Sequence, residues 1–533
     1  MLAAIIIFAA AIRIRLLEIP LERDEGEFAY MGQLMLEGVP PYAMAYNMKL
    51  PGIYAAYALI MALFGQTIAG IHLGLLLVNA GSIILVFLLG KRLLDPLAGV
   101  MAAASYAILS VSPSVLGTSA HATHFVVLPA LAGILLMLKA IDSGRPGTLF
   151  WSGLLLGLAF IMKQPGIIFI VFAGLYFLWS QLRTRPVDWS GLLKKEAIFS
   201  LGAVIPFGVT CFLLYRAGVF DRFWFWTFKY AREYGTQQSL SQGVHWFLLR
   251  AEGIAYLGAF IWALAGIGLI APIWDRKVRA VGVFLISFLV FSFLAVCPGL
   301  YFRQHYFVLM LPAGVLLTGA AISSARHLVL ARNSSLALQV LPVLLCLTAF
   351  GQSVLAQRTF FFQITPTQAC RIMYGPDPFP ESLEIARYIE ANSATSDRIA
   401  VLGSEPQIFF YSHRRSATGY IYTYGLMEKQ AYALRMHKEM IREIEAARPE
   451  YVVFVLVSSS WAAKKNSETL VLRWAQQYCR KYFDTVGVAD IVWPKYTAYY
   501  WGRDAAEYVP RSPNDYTIFI FRRKVSSSVE SPQ

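Results

Sequence analysis

The sequence has little charge for its length. Only 15% of its 533 residues are Asp, Glu, Lys or Arg, and 57% are apolar, whereas an ordinary soluble protein is about 25% charged. This shortage excludes most soluble classes, and the composition also excludes disordered, collagen-like and coiled-coil chains. The length and composition together indicate an α-helical polytopic membrane protein with many spans.

The sequence also has few cysteines and lacks the common nucleotide-binding motifs. The five cysteines (Cys211, Cys297, Cys346, Cys370 and Cys479) are scattered and form no CxxC pair, so we expect neither a disulfide framework nor a zinc ribbon. GxGxxG and P-loop motifs are missing, so nucleotide binding is not indicated. The net charge of +14 is assigned to cytoplasmic loops and a few outer cations, and we expect no nucleic-acid partner.

Charge is unevenly distributed along the chain. Residues 1–359 contain 25 Lys and Arg with 14 Asp and Glu, whereas the shorter segment 360–533 contains 21 and 18. We therefore predict a transmembrane domain at 1–358, a small extracytoplasmic α/β domain at 359–525 and a disordered tail at 526–533. Within the second domain, periodicity predicts helices at 380–392 and 427–447 and strands at 398–403, 451–457 and 517–522.

The first domain contains eleven apolar runs that could cross a bilayer as helices. They are 1–17, 66–90, 97–113, 123–140, 148–162, 164–180, 197–215, 253–273, 280–297, 305–321 and 336–355. A shorter run, 50–64, is predicted to be an interfacial or re-entrant helix. The loops with Lys194 and Lys195 and with Arg276 and Lys277 are then cytoplasmic. We expect a multi-pass protein of the plasma (inner) membrane, surrounded by membrane lipids, with its C-terminal domain outside (periplasmic in a Gram-negative cell).

Acidic residues cluster directly after the first apolar run. Five of the fourteen acidic residues before position 360 lie between Glu18 and Glu27, among them Asp24 and Glu25. A solvated loop is the ordinary interpretation of such a run. The cluster also leads into an apolar pattern over 28–36, which predicts a helix lying in the membrane interface. A carboxylate held there could act as general base toward an acceptor hydroxyl.

Isolated basic residues occur in the other predicted outer segments. Lys49 stands alone in a long stretch without other basic residues, and it is either a snorkelling anchor or a phosphate ligand. Lys163 interrupts a long apolar stretch, where a lysine is costly and therefore a functional candidate. Arg303 and His305 share another outer loop. Together with the outer carboxylates, these cations suit cleavage of a lipid phosphate ester.

Two further features of the outer segments have both an ordinary and a functional interpretation. His121 and His124, at i and i+3, could bind a metal. No third ligand is evident nearby in the sequence, so we favour hydrogen-bonded polar residues, and a divalent metal stays an alternative. The segment 218–250 is rich in aromatic rings. A membrane-interface belt explains it, and its interleaved cations would also suit an amphipathic substrate with an anionic head.

Two motifs resemble the start of the GT-C fold membrane glycosyltransferases. They are RDEGEFAY at 23–30 and KLPG at 49–52. The family includes the protein O-mannosyltransferases, the lipid A aminoarabinose transferase and the Rgt galacturonosyltransferases. Its acidic motif follows the first span, and a Lys-Pro-Pro-like motif follows an interfacial helix. Gly52 stands here where that motif has its second proline.

The resemblance implies a sugar–phosphate–polyprenol donor, and a glycan, lipid or protein acceptor outside the membrane. It implies that Asp24 is the base, with Glu25 second, and that a single displacement inverts the anomeric centre. It also implies that Lys49, Lys163 and Arg303 hold the leaving polyprenyl phosphate.

The remaining candidate contacts follow from their position among these motifs. His305, two residues after Arg303, is grouped with the phosphate ligands. Glu27, Tyr46, His121 and His124 are candidate acceptor or sugar contacts. The family's usual acidic residue of the second outer loop is not apparent, and the two histidines stand there instead.

A transporter or flippase for lipid-linked sugars is the alternative function. It predicts ionisable residues near the middle of the spans and weak internal symmetry. The charges before position 360 cluster instead at the predicted span ends, so the transferase is favoured.

Overall fold

The computed structural model describes residues 1–184, 186–331, 336–510 and 516–524. The tail predicted to be disordered, 526–533, lies outside the described residues. The chain forms two compact units, and each is built from separate stretches of sequence. The first is Met1–Ile19, Lys49–Arg216 and Gln238–Ala369, and the second is Pro20–Met48, Ala217–Gln237 and Cys370–Gln533. The domain limits at 358 and 525 stay a prediction.

Helices account for nearly all regular structure before residue 379. Up to residue 216 they are α1 Leu2–Arg15, α2 Arg23–Leu36, α3 Gly52–Phe64, α4 Ile68–Leu93, α5 Pro96–Leu109, α6 Ala122–Ser143, α7 Pro146–Met162, α8 Ile167–Leu182 and α9 Trp189–Arg216. They continue with α10 Phe220–Trp224, α11 Ala231–Gly235, α12 Leu240–Leu257, α13 Ala259–Ile270, α14 Arg276–Val296, α15 Leu311–Ala331, α16 Leu336–Ala356, α17 Arg358–Phe362 and α18 Pro366–Tyr374.

Six helices in the described part of the chain are long and apolar enough to cross a membrane. They are Ile68–Leu93, Ala122–Ser143, Gln164–Leu182, Trp189–Arg216, Arg276–Val296 and Leu311–Leu330. The pair α12 and α13, bent by 104°, adds a seventh if it forms one span, and four further apolar helices have 10–17 residues. The protein is therefore a multi-pass membrane protein, and the count of eleven spans stays a prediction.

The helix ends of the first unit follow from local sequence. The Thr67 side chain accepts a hydrogen bond from the backbone N–H of Gly70 at the start of α4, and Asp95 does the same for Ala98 at the start of α5. Such caps satisfy backbone donors that have no partner inside the helix. Pro146 occupies the first position of α7, where its missing N–H costs nothing.

The C-terminal part of the second unit is an α/β fold around one six-stranded sheet. Its elements are α19 Phe379–Ala391, β1 Arg398–Leu402, α20 Gln407–Ser412, β2 Arg415–Ser416, α21 Tyr424–Met427, α22 Ala433–Ala447, β3 Tyr451–Leu456, α23 Ser458–Trp461, α24 Leu470–Tyr482, β4 Phe483–Val492, β5 Tyr496–Trp501, α25 Arg503–Ala506 and β6 Tyr516–Arg523. The strand order is β2-β1-β3-β6-β4-β5. The first three strands in this order are parallel, and β6, β4 and β5 pair antiparallel.

The three predicted strands are confirmed as β1, β3 and β6. Their short apolar runs form the buried middle of the sheet, where β3 is covered on both faces. The antiparallel hairpin of β4 and β5 was not predicted. Asp484, Gly487 and Asp490 interrupt the apolar alternation of β4, and β5 is half-exposed along its length.

Helix α2 belongs to the second unit, where it packs against α20. The rings of Tyr30 and Phe409 lie 5.1 Å apart between these helices. Phe28, Met31 and Leu34, from the apolar side of α2, are at most 3% exposed. Protein therefore covers these three side chains, whereas Leu36 at the end of the same apolar pattern is 41% exposed. The position of α2 in the membrane interface stays a prediction.

Candidate active site

His305 lies buried among basic groups in the first unit. Its ring stacks on that of His121, with 4.0 Å between the ring centres. Burial lowers the pKa of His305 well below its ordinary value of 6.5, and the charges of His121, Lys163, Arg303 and Lys49 lower it further. The imidazole is therefore neutral at pH 7. The structure thus brings together the four residues that the sequence grouped as phosphate ligands.

Lys163 stands where α7 ends. Pro165 cannot continue a helix because it lacks an N–H and clashes with the preceding turn, and the backbone of Lys163 is already extended, with φ −161° and ψ 140°. The ammonium nitrogen of Lys163 lies 4.2 Å from the ring centre of Tyr306. A cation over an aromatic face is attracted by the electrons of the ring. This contact fixes the ammonium beside the turn that carries His305.

Lys49 is held by a close approach between α3 and α7. A Cβ atom at Gly52, the first residue of α3, would lie 2.4 Å from the carbonyl oxygen of Ile161, closer than real Cβ atoms come. Only glycine allows this contact, which explains the departure from a second proline at this position. Lys49 lies three residues before the start of α3 and Lys163 directly follows α7, so the contact joins the two segments that carry these lysines.

Arg303 precedes a short 3₁₀ turn, Gln304–Leu309, that carries His305. The residue before it, Phe302, has φ +43°, a conformation that bulky residues rarely adopt. Its ring is buried and lies 5.3 Å from that of Phe247 on α12. A backbone conformation of this kind costs of order 1–3 kcal/mol and persists only where the surroundings fix it. The packing of Phe302 therefore helps to hold the backbone directly before Arg303.

His121 and His124 lie at the start of α6, and both are buried. The hydroxyl of Tyr57 donates a 2.7 Å hydrogen bond to the carbonyl of Ala120, which fixes the segment before this helix. Neither ring nitrogen of His124 has a hydrogen-bond partner among the residues that the structure describes. The expectation of a hydrogen-bonded polar residue is therefore wrong for His124. A buried polar ring that the protein does not pair is costly, so His124 stays a candidate for substrate contact.

The acidic motif begins α2 in the second unit. The carboxylate of Glu22 accepts the backbone N–H of Glu25 at 3.0 Å, and that of Glu25 accepts the backbone N–H of Glu22 at 3.2 Å, a capping box. Burial raises the pKa of Glu22 well above its ordinary value, and the charges of Asp24 and Glu25 raise it further. Asp24 is partly exposed and accepts a 3.4 Å hydrogen bond from the hydroxyl of Tyr422. Because Glu25 takes part in the cap, Asp24 is the better candidate base.

Arg23 connects the start of α2 to the C-terminal part of the second unit. Its guanidinium lies 3.3 Å from the carboxylate of Asp377 and 3.4 Å from that of Glu405. It also donates a 2.8 Å hydrogen bond to the hydroxyl oxygen of Tyr424. The hydroxyl of Ser460 donates to Glu405 at 2.6 Å. This buried network fixes the first turn of the helix that carries the candidate base.

Glu27 and Tyr46 are accounted for by contacts within the second unit. Glu27 is fully buried and accepts a hydrogen bond from the side-chain amide of Asn47. The hydroxyl of Tyr46 donates to Glu443 at 3.0 Å, and its ring stacks on Trp226 with centres 5.9 Å apart. The structure gives both residues packing and hydrogen-bonding roles. Their contact with an acceptor or sugar stays a prediction.

Sequence patterns did not single out three residues of the site. Tyr306 and Tyr422 support Lys163 and Asp24, and Arg23 anchors α2. Tyr306 directly follows the Arg303–His305 pair, so its position in the sequence could have indicated that it belongs to the site. Nothing in the sequence indicates Tyr422, since it lies almost four hundred residues along the chain from Asp24.

The fold is that of the GT-C membrane glycosyltransferases, as the resemblance predicted. The solved structure of ArnT from Cupriavidus metallidurans bound to undecaprenyl phosphate matches with a TM-score of 0.62 at 15% identity, over 100% of this chain and 99% of that chain. The archaeal oligosaccharyltransferase AglB from Archaeoglobus fulgidus, in complex with an inhibitory peptide and a dolichol-phosphate, matches with a TM-score of 0.54 at 12% identity, over 96% of this chain and 75% of that chain.

Sequence comparisons find similarity over parts of the chain. Residues 49–217 match the family model described as dolichyl-phosphate-mannose-protein mannosyltransferase. The undecaprenyl phosphate-alpha-4-amino-4-deoxy-L-arabinose arabinosyl transferase of Pseudomonas aeruginosa is 26% identical over 280 residues, which are 49% of this chain and 48% of the relative. The enzyme of the same name from Pseudomonas paraeruginosa is 27% identical over 252 residues, 44% of each chain. The chain spans about half the length of the curated relatives it matches.

Proposed function

We propose that the protein is a membrane glycosyltransferase. It transfers a sugar from a polyprenyl-phosphate donor to an acceptor on the extracytoplasmic face of the plasma (inner) membrane, with inversion. The acceptor is a glycan, a lipid or a protein. The grouping of Lys49, Lys163 and Arg303 around the neutral ring of His305 carries this proposal.

The chemistry of that grouping suits a phosphate. Lysine and arginine make charge-assisted hydrogen bonds to phosphate oxygens, which are about twice as strong as neutral ones. A neutral imidazole adds a donor or acceptor without further repulsion among the cations. The ArnT structure that shares the fold contains undecaprenyl phosphate, a ligand of the class that this proposal needs.

The proposed reaction is a single displacement. The oxygen of an acceptor hydroxyl attacks the anomeric carbon, and a C–O bond forms on the face opposite the phosphate. The bond from that carbon to the phosphate oxygen breaks, and its electron pair leaves on the polyprenyl phosphate. Lys49, Lys163 and Arg303 stabilise the negative charge that develops on this leaving group. The hydroxyl proton passes to the carboxylate of Asp24.

Asp24 is preferred over Glu25 as the base for a structural reason. A base needs an oxygen that can accept a proton during the reaction, whereas the carboxylate of Glu25 is engaged with the backbone at the helix start. Asp24 is partly exposed, and the hydroxyl of Tyr422 orients it. We therefore expect Glu25→Gln to retain activity, because glutamine also serves in a capping box.

The transporter alternative lacks a specific observation in its favour. Lys163 caps the end of α7 and Arg303 precedes a short turn, so neither lies in the middle of a helix. The relatives and solved structures named above are transferases by their names. We therefore keep the transporter only as an outcome of the test.

The test measures sugar release and transfer with the reconstituted protein. Membrane vesicles containing the wild type or Asp24→Asn receive polyprenyl phosphates that carry a labelled pentose or hexose, together with extracted envelope glycolipids. The wild type should consume one donor, and Asp24→Asn should slow that reaction at least about a hundredfold. Asp221→Asn, which removes an exposed carboxylate, is the matched control and should transfer normally.

Each component of the proposal can fail separately. Wild-type rates in Asp24→Asn would refute the assigned base. Movement of labelled donor across the vesicle membrane without its consumption would replace the transferase by the flippase. A product that retains the anomeric configuration would exclude the single displacement.

A further inference from the structure

A basic groove lies between two helices of the second unit, separate from the residues discussed so far. Arg435, Lys438 and Arg442 follow one another on one side of α22 at a spacing of three and four residues, which aligns them on a helix. Arg473 of α24 lines the same groove. All four side chains are exposed. Four positive charges therefore border one concave surface.

The floor of the groove is apolar and aromatic. Leu470 and Trp474 of α24 line it and are only partly exposed. The ring of Trp474 stacks on Tyr478, with centres 4.7 Å apart, and its indole N–H donates a 2.8 Å hydrogen bond to Glu445. The groove has a volume of about 1160 Å³. The indole ring of Trp474 is therefore held in one orientation, and the groove has room for a ligand of several rings.

The positive charge of the groove is not neutralised by neighbouring ion pairs. Within the part of the chain that the structure describes, none of its four basic side chains forms a salt bridge. The carboxylates of Glu439 and Glu443 on α22 accept hydrogen bonds from Tyr420 and Tyr46. Glu445 accepts the indole N–H of Trp474, and the residues that line the groove include no Asp or Glu. The groove therefore carries an excess of positive charge.

The spacing of the cations specifies a ligand with several charges. Arg435 and Arg442 are seven residues apart, so their backbones are separated by about 10 Å along the helix. One phosphate group would meet only part of this row. A surface of anionic lipid is the competing partner for such a row, and binding to anionic vesicles distinguishes it. A chain with anionic groups at intervals matches both the row and the concave shape.

We propose that this groove binds an anionic saccharide chain. Its carboxylate or phosphate groups pair with Arg435, Lys438, Arg442 and Arg473, and the apolar face of a sugar ring packs on Trp474. The charge complementarity supports the anionic groups, and the partly exposed ring of Trp474 supports the sugar. That the saccharide is part of the acceptor rests on the proposed transferase function. That the groove binds the saccharide does not.

Binding can be measured without any sugar transfer. The full-length protein in nanodiscs of neutral lipid is titrated calorimetrically with hexagalacturonate, maltohexaose and hexaglutamate. Hexagalacturonate should bind, with an affinity that falls as salt is added, while uncharged maltohexaose should not. Hexaglutamate, which has the charge but no sugar, should bind at least tenfold more weakly.

Two double variants with the same change in charge test the location. Arg435→Gln/Arg442→Gln should weaken hexagalacturonate binding at least tenfold, because it removes two of the four cations. Lys464→Gln/Lys495→Gln removes two exposed lysines outside the groove and should change binding less than twofold. Equal melting temperatures of the two variants would establish that both are folded.

Three results would overturn the inference. They are unchanged binding by the groove variant, equally tight binding of hexaglutamate, and binding only to phosphatidylglycerol vesicles. Asp24→Asn should bind hexagalacturonate like the wild type. If the protein binds hexagalacturonate but transfers no sugar, only the proposed function is refuted. If it transfers sugar but does not bind hexagalacturonate, only this inference is refuted.

Discussion

The guanidinium of Arg23 lies 3.4 Å from the carboxylate of Glu405, which has no exposed surface. Burial raises the pKa of Glu405, and the charge of Arg23 and the hydrogen bond from Ser460 oppose this. Removing one member of a buried ion pair leaves the other charge without compensation. The pair is therefore one of the contacts that hold the acidic helix α2 in its unit.

We expect Arg23→Met to lower the free energy of unfolding by about 3–5 kcal/mol. The double variant Arg23→Met/Glu405→Gln should recover part of this loss, because a neutral glutamine is less costly to bury than an unpaired carboxylate. Chemical unfolding in detergent, followed by tryptophan fluorescence, measures both values. A loss below about 0.5 kcal/mol in Arg23→Met would mean that the helix is anchored by other contacts.

Gly52→Ala should disturb the contact between α3 and α7. The added methyl group would meet the carbonyl oxygen of Ile161 at 2.4 Å, so one helix must shift, at a cost of about 1–3 kcal/mol. We expect a lower melting temperature and a higher KM for the lipid-linked donor, since Lys49 and Lys163 adjoin this contact. Gly266→Ala is the matched control, because a Cβ at Gly266 has open space. Equal behaviour of the two variants would contradict the prediction.

The sequence predicted the parts of the fold that depend on local patterns. Apolar length identified the six helices that are long and apolar enough to cross a membrane, and the apolar runs of β1 and β3 identified the middle of the sheet. The hairpin of β4 and β5 was not predicted, because Asp484 and Gly487 interrupt the apolar alternation of β4. Local pattern also did not predict that Phe28, Met31 and Leu34 of α2 are buried by protein, since packing against α20 depends on residues distant in sequence.

The candidate site was predictable where rare residue types stand out. Lys163 and Arg303 are conspicuous because charge is scarce before position 360, and the structure groups them around His305. The partners of Asp24 and Arg23 were not predictable. Tyr422 and Glu405 come from a segment with ordinary polar composition, so nothing in the local sequence distinguishes them from surface residues.

Lys163→Met should raise the KM for the lipid-linked donor about 10- to 100-fold. The loss corresponds to about 1.5–3 kcal/mol, the range for a hydrogen bond to a charged group. Lys163→Arg should retain more of the affinity because it keeps the charge, although its guanidinium has a different shape. Lys139→Met removes an exposed lysine at the end of α6 and should leave the KM unchanged. A normal KM in Lys163→Met would remove Lys163 from the phosphate ligands.

His305 should make the protein less stable in mild acid. Burial, followed by the neighbouring cationic groups, lowers its pKa in the folded state below the value near 6.5 that it has when unfolded. The unfolded state therefore binds more protons below pH 6.5, and stability falls as the pH decreases. The contribution of the neutral ring is fully present above pH 6.5, and it is lost on acidification toward the folded pKa.

We expect His305→Asn to flatten this dependence. Between pH 5 and pH 7.5 the wild type should lose stability by on the order of 1 kcal/mol per pH unit below 6.5 through this residue, and the variant should lack that contribution. Melting temperatures across the pH range measure the difference. His245→Asn, at an exposed position on α12, controls for the loss of any histidine. Parallel curves for the wild type and His305→Asn would mean that His305 is readily protonated in the folded protein, and its neutral role beside the phosphate ligands would have to be abandoned.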